Sequence, residues 1–380
     1  MTKATRIIIG AAAFLSLLAL VLFFFGFGSS DMDRRLKGED PIGIFFVMTD
    51  DARDDAIDMA AQIVVFPAYK RVLLYCLNTD SFYEDEDEPM SKLAPGSADR
   101  FSRLTGVRNE YTIKITRSQA IRFLNVLEGI NTYLEEPIVF QDGRFQYPQG
   151  YQFFPGEQII EYALGHTKPE FQKEYLTGVD RLYRTQSMAL TLFWNLDELT
   201  ERVKNQKIRS FLYSLINTDL SEPEIKAVFS FFSGEGIKMD ALALPLETSV
   251  GPLGTRLVVK DKRARNLFVE YRDNLRAGKL DSDEFPVEVL NGTETGGLAR
   301  KVKQFLQDRG LVVLNTDNFP YKRQVKTVIV ERYGSSFNAL KLLELTGIDR
   351  KRVFFRRKAL EVHASIIIGD DFKAGKFQSD

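Results

Sequence analysis

Residues 42–48 read IGIFFVM, an unbroken apolar run of the kind found in strands that are buried on both faces. Two more such runs follow, QIVVF at residues 62–66 and RVLLYCL at 71–77, joined by a short turn at Pro67. Between residues 118 and 134, apolar side chains recur at helical spacing. The alternation of buried strands with amphipathic helices predicts an α/β fold in which helices cover both faces of a mixed sheet.

The chain is predicted to form two globular domains. The first covers residues 42–276 and contains further helical patterns at 156–164 and 180–215. Periodicity is lost at residues 277–285, which we interpret as a linker. A new pattern of strands and helices occupies residues 286–372 and predicts a second, small α/β domain.

Composition excludes several classes of protein. The 380 residues include 51 Lys and Arg against 52 Asp and Glu, so a strongly basic nucleic-acid binder is not expected, and we predict no nucleic-acid partner. The single cysteine excludes an intramolecular disulfide framework, and two histidines are few for a histidine-based metal centre.

The amino-terminal segment predicts a membrane anchor. Residues 7–27 carry no charged side chain and, at about 1.5 Å per residue, can span a hydrocarbon core of roughly 30 Å. We predict a cytoplasmic stub and transmembrane anchor at residues 1–30, a polar stalk at 31–41 and, at the other end of the chain, a short tail at 373–380. A cleaved signal peptide is the alternative, although its apolar core usually has only about 7–15 residues.

The last domain resembles a known module. Its motifs are VEVLNGTETGGLARKVKQFLQDRGLVV, then TVIVERYGSSFNALKLLELTG, then ASIIIGDDF, all within residues 286–372. They are similar to the carboxy-terminal domain that accompanies LytR-CpsA-Psr (LCP) proteins. The glycine-containing loop within the first motif has neither the P-loop lysine nor the spacing of a dinucleotide fingerprint, so we interpret it as a strand-to-helix turn.

The first domain resembles the catalytic domain of the same family in the order and spacing of its motifs. Asp51 and Arg53 stand where the family has an acid and an arginine after its first strand. Asp58 takes the place of the acid in the family's Ser-Asp-Thr motif, and Asp80 that of the acid in Pro-Arg-Asp.

The arginine motifs of the family are only partly present. The segment DRLYRTQ resembles the Gly-Arg-x-x-Arg-Gln element, which makes Arg181, Arg184 and Gln186 candidate substrate-binding residues together with Arg53. Three other family arginines are replaced, and the residues at their positions are Thr79, Leu164 and His166.

The resemblance implies a chemistry for this domain. An apolar cleft would bind a polyprenyl-phosphate-linked glycan, and the glycosyl phosphate would pass to a hydroxyl of peptidoglycan. Asp58 and Asp80 would be the catalytic residues, Asp51 and Asp58 would hold Mg²⁺ on the diphosphate oxygens, and arginines would stabilise the leaving phosphate.

Whether catalysis is retained stays open at this point. A hydrogen bond to a charged group contributes about 1.5–3 kcal/mol, so the loss of three arginines removes a large part of the expected phosphate stabilisation. The two main hypotheses are a glycopolymer phosphotransferase and a non-catalytic scaffold that binds envelope glycans or lipids. A third, a membrane-tethered transcription regulator, is disfavoured because the sequence has no recognisable helix-turn-helix and no net basic charge. The resemblance, and the lack of a second apolar segment in the sequence, imply a single-pass cell-membrane protein with most of the chain on the extracytoplasmic side; the reverse orientation is the alternative.

A basic cluster stands near the carboxyl terminus. It consists of Arg350, Lys351, Arg352, Arg356, Arg357 and Lys358 around three apolar residues. Two interpretations are open, a surface that engages anionic glycans or lipid head groups and an ordinary solvated face.

Overall fold

The computed structural model describes residues 30–52, 56–77, 79–83, 89–92, 98–140, 146–166, 177–251, 254–321, 324–358 and 360–372. The predicted anchor at residues 7–27, Arg53 and the predicted tail lie outside these ranges. Among the residues described, no helix is both long enough and apolar enough to cross a bilayer.

The first domain alternates strands with helices, as predicted. Its elements in chain order are α1 (Asp31–Arg35), β1 (Ile42–Thr49), β2 (Ile57–Phe66), β3 (Arg71–Leu77), β4 (Phe82–Tyr83), α2 (Ala98–Thr105), β5 (Asn109–Thr116), α3 (Arg117–Val126), β6 (Ile130–Leu134), β7 (Ile138–Val139), β8 (Gln146–Tyr147), β9 (Gly150–Phe154), α4 (Gly156–Leu164), α5 (Thr177–Trp194), α6 (Leu196–Val203), α7 (Gln206–Ser214), β10 (Asn217–Thr218), α8 (Glu222–Phe232), β11 (Lys238–Ala243), β12 (Leu246–Gly251), β13 (Gly254–Val259) and α9 (Asp261–Arg276).

The central sheet has the strand order β10-β5-β1-β2-β3-β11 and is mixed. β1 pairs parallel with β5 and antiparallel with β2, and β2 pairs antiparallel with β3. Because side chains alternate along a strand, Ile44 and Met48 face helices α3, α4, α5 and α8, whereas Phe45 and Val47 face α2 and α9. The prediction of an internal sheet with helices on both faces is confirmed.

Two segments differ from the sequence prediction. The segment predicted as a stalk begins with α1, which is capped by Ser30 and packs its buried Met32 against β1 and α8, so it belongs to the domain. The helix predicted between residues 118 and 134 ends at Val126, because Glu128 and Gly129 adopt positive φ angles and the chain turns into β6.

The second domain is a five-stranded sheet with two helices. Its elements are β14 (Pro286–Asn291), α10 (Leu298–Gln307), β15 (Val312–Asn318), β16 (Val328–Glu331), α11 (Ser336–Thr346), β17 (Val353–Phe355) and β18 (Ala364–Ile368), with strand order β15-β14-β18-β16-β17. Helix α11 ends at Gly347, a glycine with φ 61° in the left-handed region.

The two domains share one apolar core. Leu74 and Trp194 of the first domain lie in the same buried cluster as Leu342 and Phe355 of the second. The predicted linker is mostly exposed but is fixed at two points: Asp281 accepts hydrogen bonds from Arg71 and, at 2.8 Å, from Lys238 Nζ, and Phe285 is buried. Residues 277–285 therefore form an exposed connection that is anchored to the first domain while the apolar core continues beside it.

Candidate functional site

An apolar cavity of about 380 Å³ lies between the central sheet and the helices on one of its faces. Its lining includes Phe46, Met48, Met59, Leu164, Met188 and Phe229. A second cavity of about 280 Å³ lies between α6, α7 and α8. The two share Phe123, Ile216, Ile225 and Phe229 in their walls, so they meet at these side chains.

Topology brings polar residues to one end of the larger cavity. Strands β1, β3 and β5 all end at the same edge of the sheet, and the antiparallel β2 begins there, with Met48 opposite Met59 and Thr49 opposite Ile57. Asp51 follows β1, Asp58 opens β2, Asp80 follows β3 and Arg117 follows β5. Side chains that are distant in sequence therefore meet beside the cavity walls formed by Met48 and Met59.

Asp58 is bound by a residue that the sequence reasoning did not select. Arg117 donates from Nε and Nη2 to the two carboxylate oxygens of Asp58, at 2.9 and 2.8 Å. The hydrogen bond to Asp58 raises the pKa of Arg117 further above its ordinary value, against partial burial. The sequence signal for this residue is the segment Thr116-Arg117-Ser118-Gln119, whose capping box starts α3 directly at the end of β5.

Asp51 lies at the same helix start. Both its carboxylate oxygens accept from the Ser118 backbone N–H, at 3.1 and 3.0 Å. Desolvation alone would raise the pKa of Asp51, but hydrogen bonds from Ser118 and Thr116, together with the charge of Arg117, hold it below its usual value. Asp51 therefore stays ionised next to Arg117.

A second acid–arginine pair adjoins the first. Arg181 of α5 forms a salt bridge with Asp80, with Nη2 2.6 Å from Oδ2, and donates to the Thr79 hydroxyl at 2.9 Å. Thr79 in turn donates to the Asp58 carbonyl oxygen at 3.3 Å, which links the two pairs. We call Asp51, Asp58, Asp80, Arg117 and Arg181 the acid–arginine cluster.

The residues at the replaced family positions lie around this cluster. Thr79 contacts Arg181, and Leu164 lines the larger cavity. Partial burial and the positive charge of Arg181 lower the pKa of His166 below its ordinary value, so this histidine is neutral near pH 7 and does not replace a cation.

Arg184 differs from the prediction. Its side chain is only 5% exposed, and its nitrogens donate to protein acceptors: Nε to the Tyr162 carbonyl oxygen at 2.6 Å, Nη1 to Asp180 and Nη2 to the Gly165 carbonyl oxygen. Burial lowers its pKa below the ordinary value. The geometry makes Arg184 a structural support that joins α5 to α4 instead of an open phosphate ligand.

The contacts of Gln186 also differ from the predicted role in substrate binding. It is fully buried, and its Oε1 accepts a hydrogen bond from Arg357 of the second domain. The side chain that the family register identifies as substrate-binding therefore contacts the carboxy-terminal domain in this chain.

The predicted magnesium ligands Asp51 and Asp58 both accept hydrogen bonds from protein donors in the structure. Among the residues that the structure describes, no group of three or more His, Cys, Asp or Glu side chains is arranged to hold a metal ion. The positive charge beside these acids is the Arg117 guanidinium, and this arrangement does not fit a preformed Mg²⁺ site. Magnesium at Asp51 and Asp58 stays a prediction to be tested by titration.

Comparison with known proteins finds a family match for the carboxy-terminal domain and a structural match for the fold. Residues 284–372 match the family model LytR_C, described as LytR cell envelope-related transcriptional attenuator. The fold is similar to that of TagV from B. subtilis, with 14% sequence identity and a TM-score of 0.51; the similarity covers 63% of this chain and 98% of TagV. The predicted resemblance is confirmed: a LytR-type carboxy-terminal domain follows a domain with the LCP fold.

Other solved structures are similar at lower scores. TagT bound to LIIa-WTA has 10% identity and a TM-score of 0.49, over 66% of this chain and 95% of TagT. A transcriptional regulator from Enterococcus faecalis has 13% identity and a TM-score of 0.48, over 65% of this chain and 90% of its own. No curated protein matches the chain by sequence.

Proposed function

We propose that this chain is a cell-envelope protein of the LCP type that binds a polyprenyl-phosphate-linked glycan. The lipid tail occupies the apolar cavity, and the phosphate lies at Arg117 and Arg181 of the acid–arginine cluster. The observation that carries the proposal is that both guanidinium groups lie next to residues that line the apolar cavity: Arg117 binds Asp58, which precedes the lining residue Met59, and Arg181 lies one turn from the lining residue Thr185. An apolar chamber with a few convergent polar groups is the usual form of a small-molecule site.

Electrostatics supports this orientation of the ligand. A guanidinium offers five N–H donors, and Asp58 uses two of those of Arg117, so donors remain for phosphate oxygens. The Arg117 side chain is 42% exposed, whereas Arg181 is 13% exposed and better shielded from solvent. A phosphate reaches Arg117 first and competes with Asp80 for Arg181.

The state of the carboxylates argues for binding with weakened transfer chemistry. A general base must direct a carboxylate lone pair at the attacking hydroxyl, and hydrogen bonds from a guanidinium occupy part of that acceptor capacity. Both oxygens of Asp58 contact Arg117, and Asp80 is paired with Arg181. We therefore propose that the protein handles lipid-linked glycan near peptidoglycan, with residues 7–27 as its membrane anchor and both globular domains on the extracytoplasmic side. Residual phosphotransferase activity is the second hypothesis.

Binding is tested with the full chain in detergent micelles. A polyprenyl diphosphate is compared with the polyprenol of the same length, and we expect the diphosphate to bind more tightly. Hydrogen bonds to charged groups predict that an Arg117→Met, Arg181→Met double variant weakens diphosphate binding by roughly tenfold or more and leaves polyprenol binding unchanged. Arg122→Met, an exposed arginine on the same helix as Arg117, is the matched control.

The outcomes separate the hypotheses. Equal affinity of the wild-type chain for diphosphate and alcohol would contradict the proposed head-group site. Transfer is measured in the same preparation with a diphosphate-linked glycan, Mg²⁺ and a peptidoglycan acceptor. Product formation that Asp58→Asn abolishes would favour the transferase, and binding without product would favour the scaffold.

A further inference from the structure

The basic cluster around residues 350–358 lies at the contact between the two domains. Arg356 is buried, and Arg350 donates from Nη2 to the Trp194 carbonyl oxygen at 2.7 Å, while the Trp194 indole N–H donates back to the Arg350 carbonyl oxygen at 3.2 Å. Arg350 and Lys351 are exposed, but the two surface interpretations do not fit Arg356 and Arg357. These two arginines contact Tyr162 of α4 and Gln186 and Ser187 of α5, the helices that reach the acid–arginine cluster.

Arg357 holds α5 from the side opposite the cavity. Its backbone N–H donates to the Ser187 hydroxyl at 2.8 Å. Its guanidinium donates to Gln186 Oε1 and, at 2.6 Å, to the Ala241 carbonyl oxygen of β11, with the Tyr183 ring 5.3 Å away. One side chain of the second domain therefore ties α5 to the edge strand of the central sheet.

Arg356 connects the second domain to α4 through the Tyr162 hydroxyl. Its Nη1 donates to the Tyr162 hydroxyl at 2.9 Å, and the carbonyl oxygen of Tyr162 accepts from Arg184 Nε at 2.6 Å. Arg184 also binds Asp180 and the Gly165 carbonyl oxygen, one turn from Arg181 on α5. This series of hydrogen bonds links Arg356, directly after β17, through Tyr162 of α4 to Arg184 near the start of α5.

We propose that the carboxy-terminal domain positions the phosphate-binding end of the first domain, and that Arg356 and Arg357 are its positioning residues. They fix α4 and the first half of α5, and thereby the distance of Arg181 from Arg117. The part of this proposal that concerns ligand binding rests on the proposed function. The part that concerns helix order does not.

Other contacts between the domains serve docking in general. Arg332 binds Glu135 with Nη1 at 2.9 Å and Nη2 at 2.5 Å, and Lys358 Nζ lies 3.4 Å from the same carboxylate. This pair stands in the segment after β6, away from α5. Arg356 Nε lies 3.8 Å from the same Glu135 carboxylate, so Arg356→Met also weakens this docking contact, and Tyr162→Phe is the variant that separates positioning from docking.

Helix order is measured by amide hydrogen exchange on the full chain in micelles. We expect Arg356→Met and Arg357→Met to accelerate exchange about tenfold or more in residues 156–166 and 179–187, with β1–β3 unchanged, because local contacts set local opening. Arg309→Met is the control, since Arg309 is an exposed arginine of the second domain that donates to the Phe305 carbonyl oxygen of α10 and lies over the Phe305 ring. Wild-type exchange in both helices of both variants, or equal acceleration across the whole first domain, would overturn the proposal.

Docking of the second domain is measured by the fluorescence emission of Trp194. This residue is the single tryptophan of the chain and lies against Arg350 and Phe355. An unchanged emission spectrum in both variants is the expected result, because the domain stays in place while α4 and α5 loosen. If a variant shifts the emission, the exchange measurement is repeated with two milder variants. Tyr162→Phe removes only the hydroxyl that Arg356 contacts, and Arg357→Lys keeps the charge. A Tyr162→Phe chain with wild-type exchange in α4 would then overturn the role of Arg356, and Arg357→Lys must restore part of the order in α5.

Ligand selectivity gives the second readout. We expect the Arg356→Met and Arg357→Met chains to lose preference for polyprenyl diphosphate over polyprenol by roughly tenfold, because only the head-group contacts depend on helix position. Unchanged selectivity together with loosened helices would overturn the link to binding. A wild-type chain that binds neither ligand refutes the proposed function alone, and the exchange result then decides the positioning role independently.

Discussion

Asp58 and Arg117 form a two-point ion pair, with Nε 2.9 Å and Nη2 2.8 Å from the carboxylate oxygens. The resemblance to the LCP family predicts Asp58 as a metal ligand and a catalytic residue, but in this chain the Arg117 guanidinium lies beside it. The fork of an arginine matches a carboxylate geometrically, and its charge does not depend on pH in the neutral range. The pair places a positive charge beside the acids that gather at this edge of the sheet.

The first prediction concerns Mg²⁺. Removing the competing cation with Arg117→Met frees both oxygens of Asp58 and leaves Asp51 nearby, so we expect the variant to bind Mg²⁺ roughly tenfold more tightly than the wild-type chain. Isothermal titration of the full chain with MgCl₂ measures the change, with Arg122→Met as control. Tight binding by the wild-type chain, equal to that of the variant, would show that Arg117 does not compete and would support the predicted magnesium site.

The second prediction concerns the length of the lipid. Phe123 lies in the walls of both cavities, so Phe123→Trp fills the passage between them. We expect a long polyprenyl phosphate to lose affinity in this variant while a short one, which fits the larger cavity alone, binds as before. The ratio of the two dissociation constants measures the effect. A loss of affinity that is equal for both lengths would contradict a continuous path between the cavities.

The third prediction concerns the buried pair Arg332 and Glu135. Breaking a buried ion pair costs about 3–5 kcal/mol, and the lower end applies here since Lys358 stays 3.4 Å from the carboxylate. Arg332→Met should therefore lower the free energy of unfolding by about 3 kcal/mol in urea. The double variant with Glu135→Gln should cost less than the two single changes together, because each removes the same interaction. Additive losses would show that the two residues act separately.

The fourth prediction is a pH dependence of stability. Glu331 is fully buried and accepts from the backbone N–H groups of Tyr333, Gly334 and Ser335; burial raises its pKa to about 7 from the ordinary value of 4.5. Between these two values the native state binds more protons than the unfolded chain, so this group's contribution is complete below about pH 4.5 and is lost as pH rises through about 7.

The test compares the wild-type chain with Glu331→Gln, which cannot ionise. Free energies of unfolding at pH 5, 6, 7 and 8 should show that the wild-type chain loses stability relative to the variant as pH rises. Parallel curves for the two chains would contradict a raised pKa at Glu331.

Much of the fold was predictable from local patterns. The apolar runs at residues 42–48 and 71–77 and the helix at 156–164 appear where their periodicity places them, because burial on both faces of a sheet demands continuous apolar sequence. The helix predicted at 118–134 is too long, because the positive φ at Gly129 breaks it while the apolar spacing continues into β6.

The candidate site was predictable only in part. The order and spacing of the LCP family motifs selected Asp51, Asp58, Asp80 and Arg181, and the structure brings these four residues to one edge of the sheet. It did not select Arg117, since α3 begins with an ordinary capping box that carries no mark of function.

Sequence alone determined the buried strands β1 to β3 and the resemblance of the last domain, since these depend on residues close together in the chain. Only the tertiary structure decided the partners of each charge. Arg184, Gln186, Arg356 and Arg357 are charged or polar in sequence, and nothing local says whether water, a ligand or another domain will satisfy them. Because a buried polar group must find its partner inside the protein, the packing of the second domain against α4 and α5 assigned them to the interface.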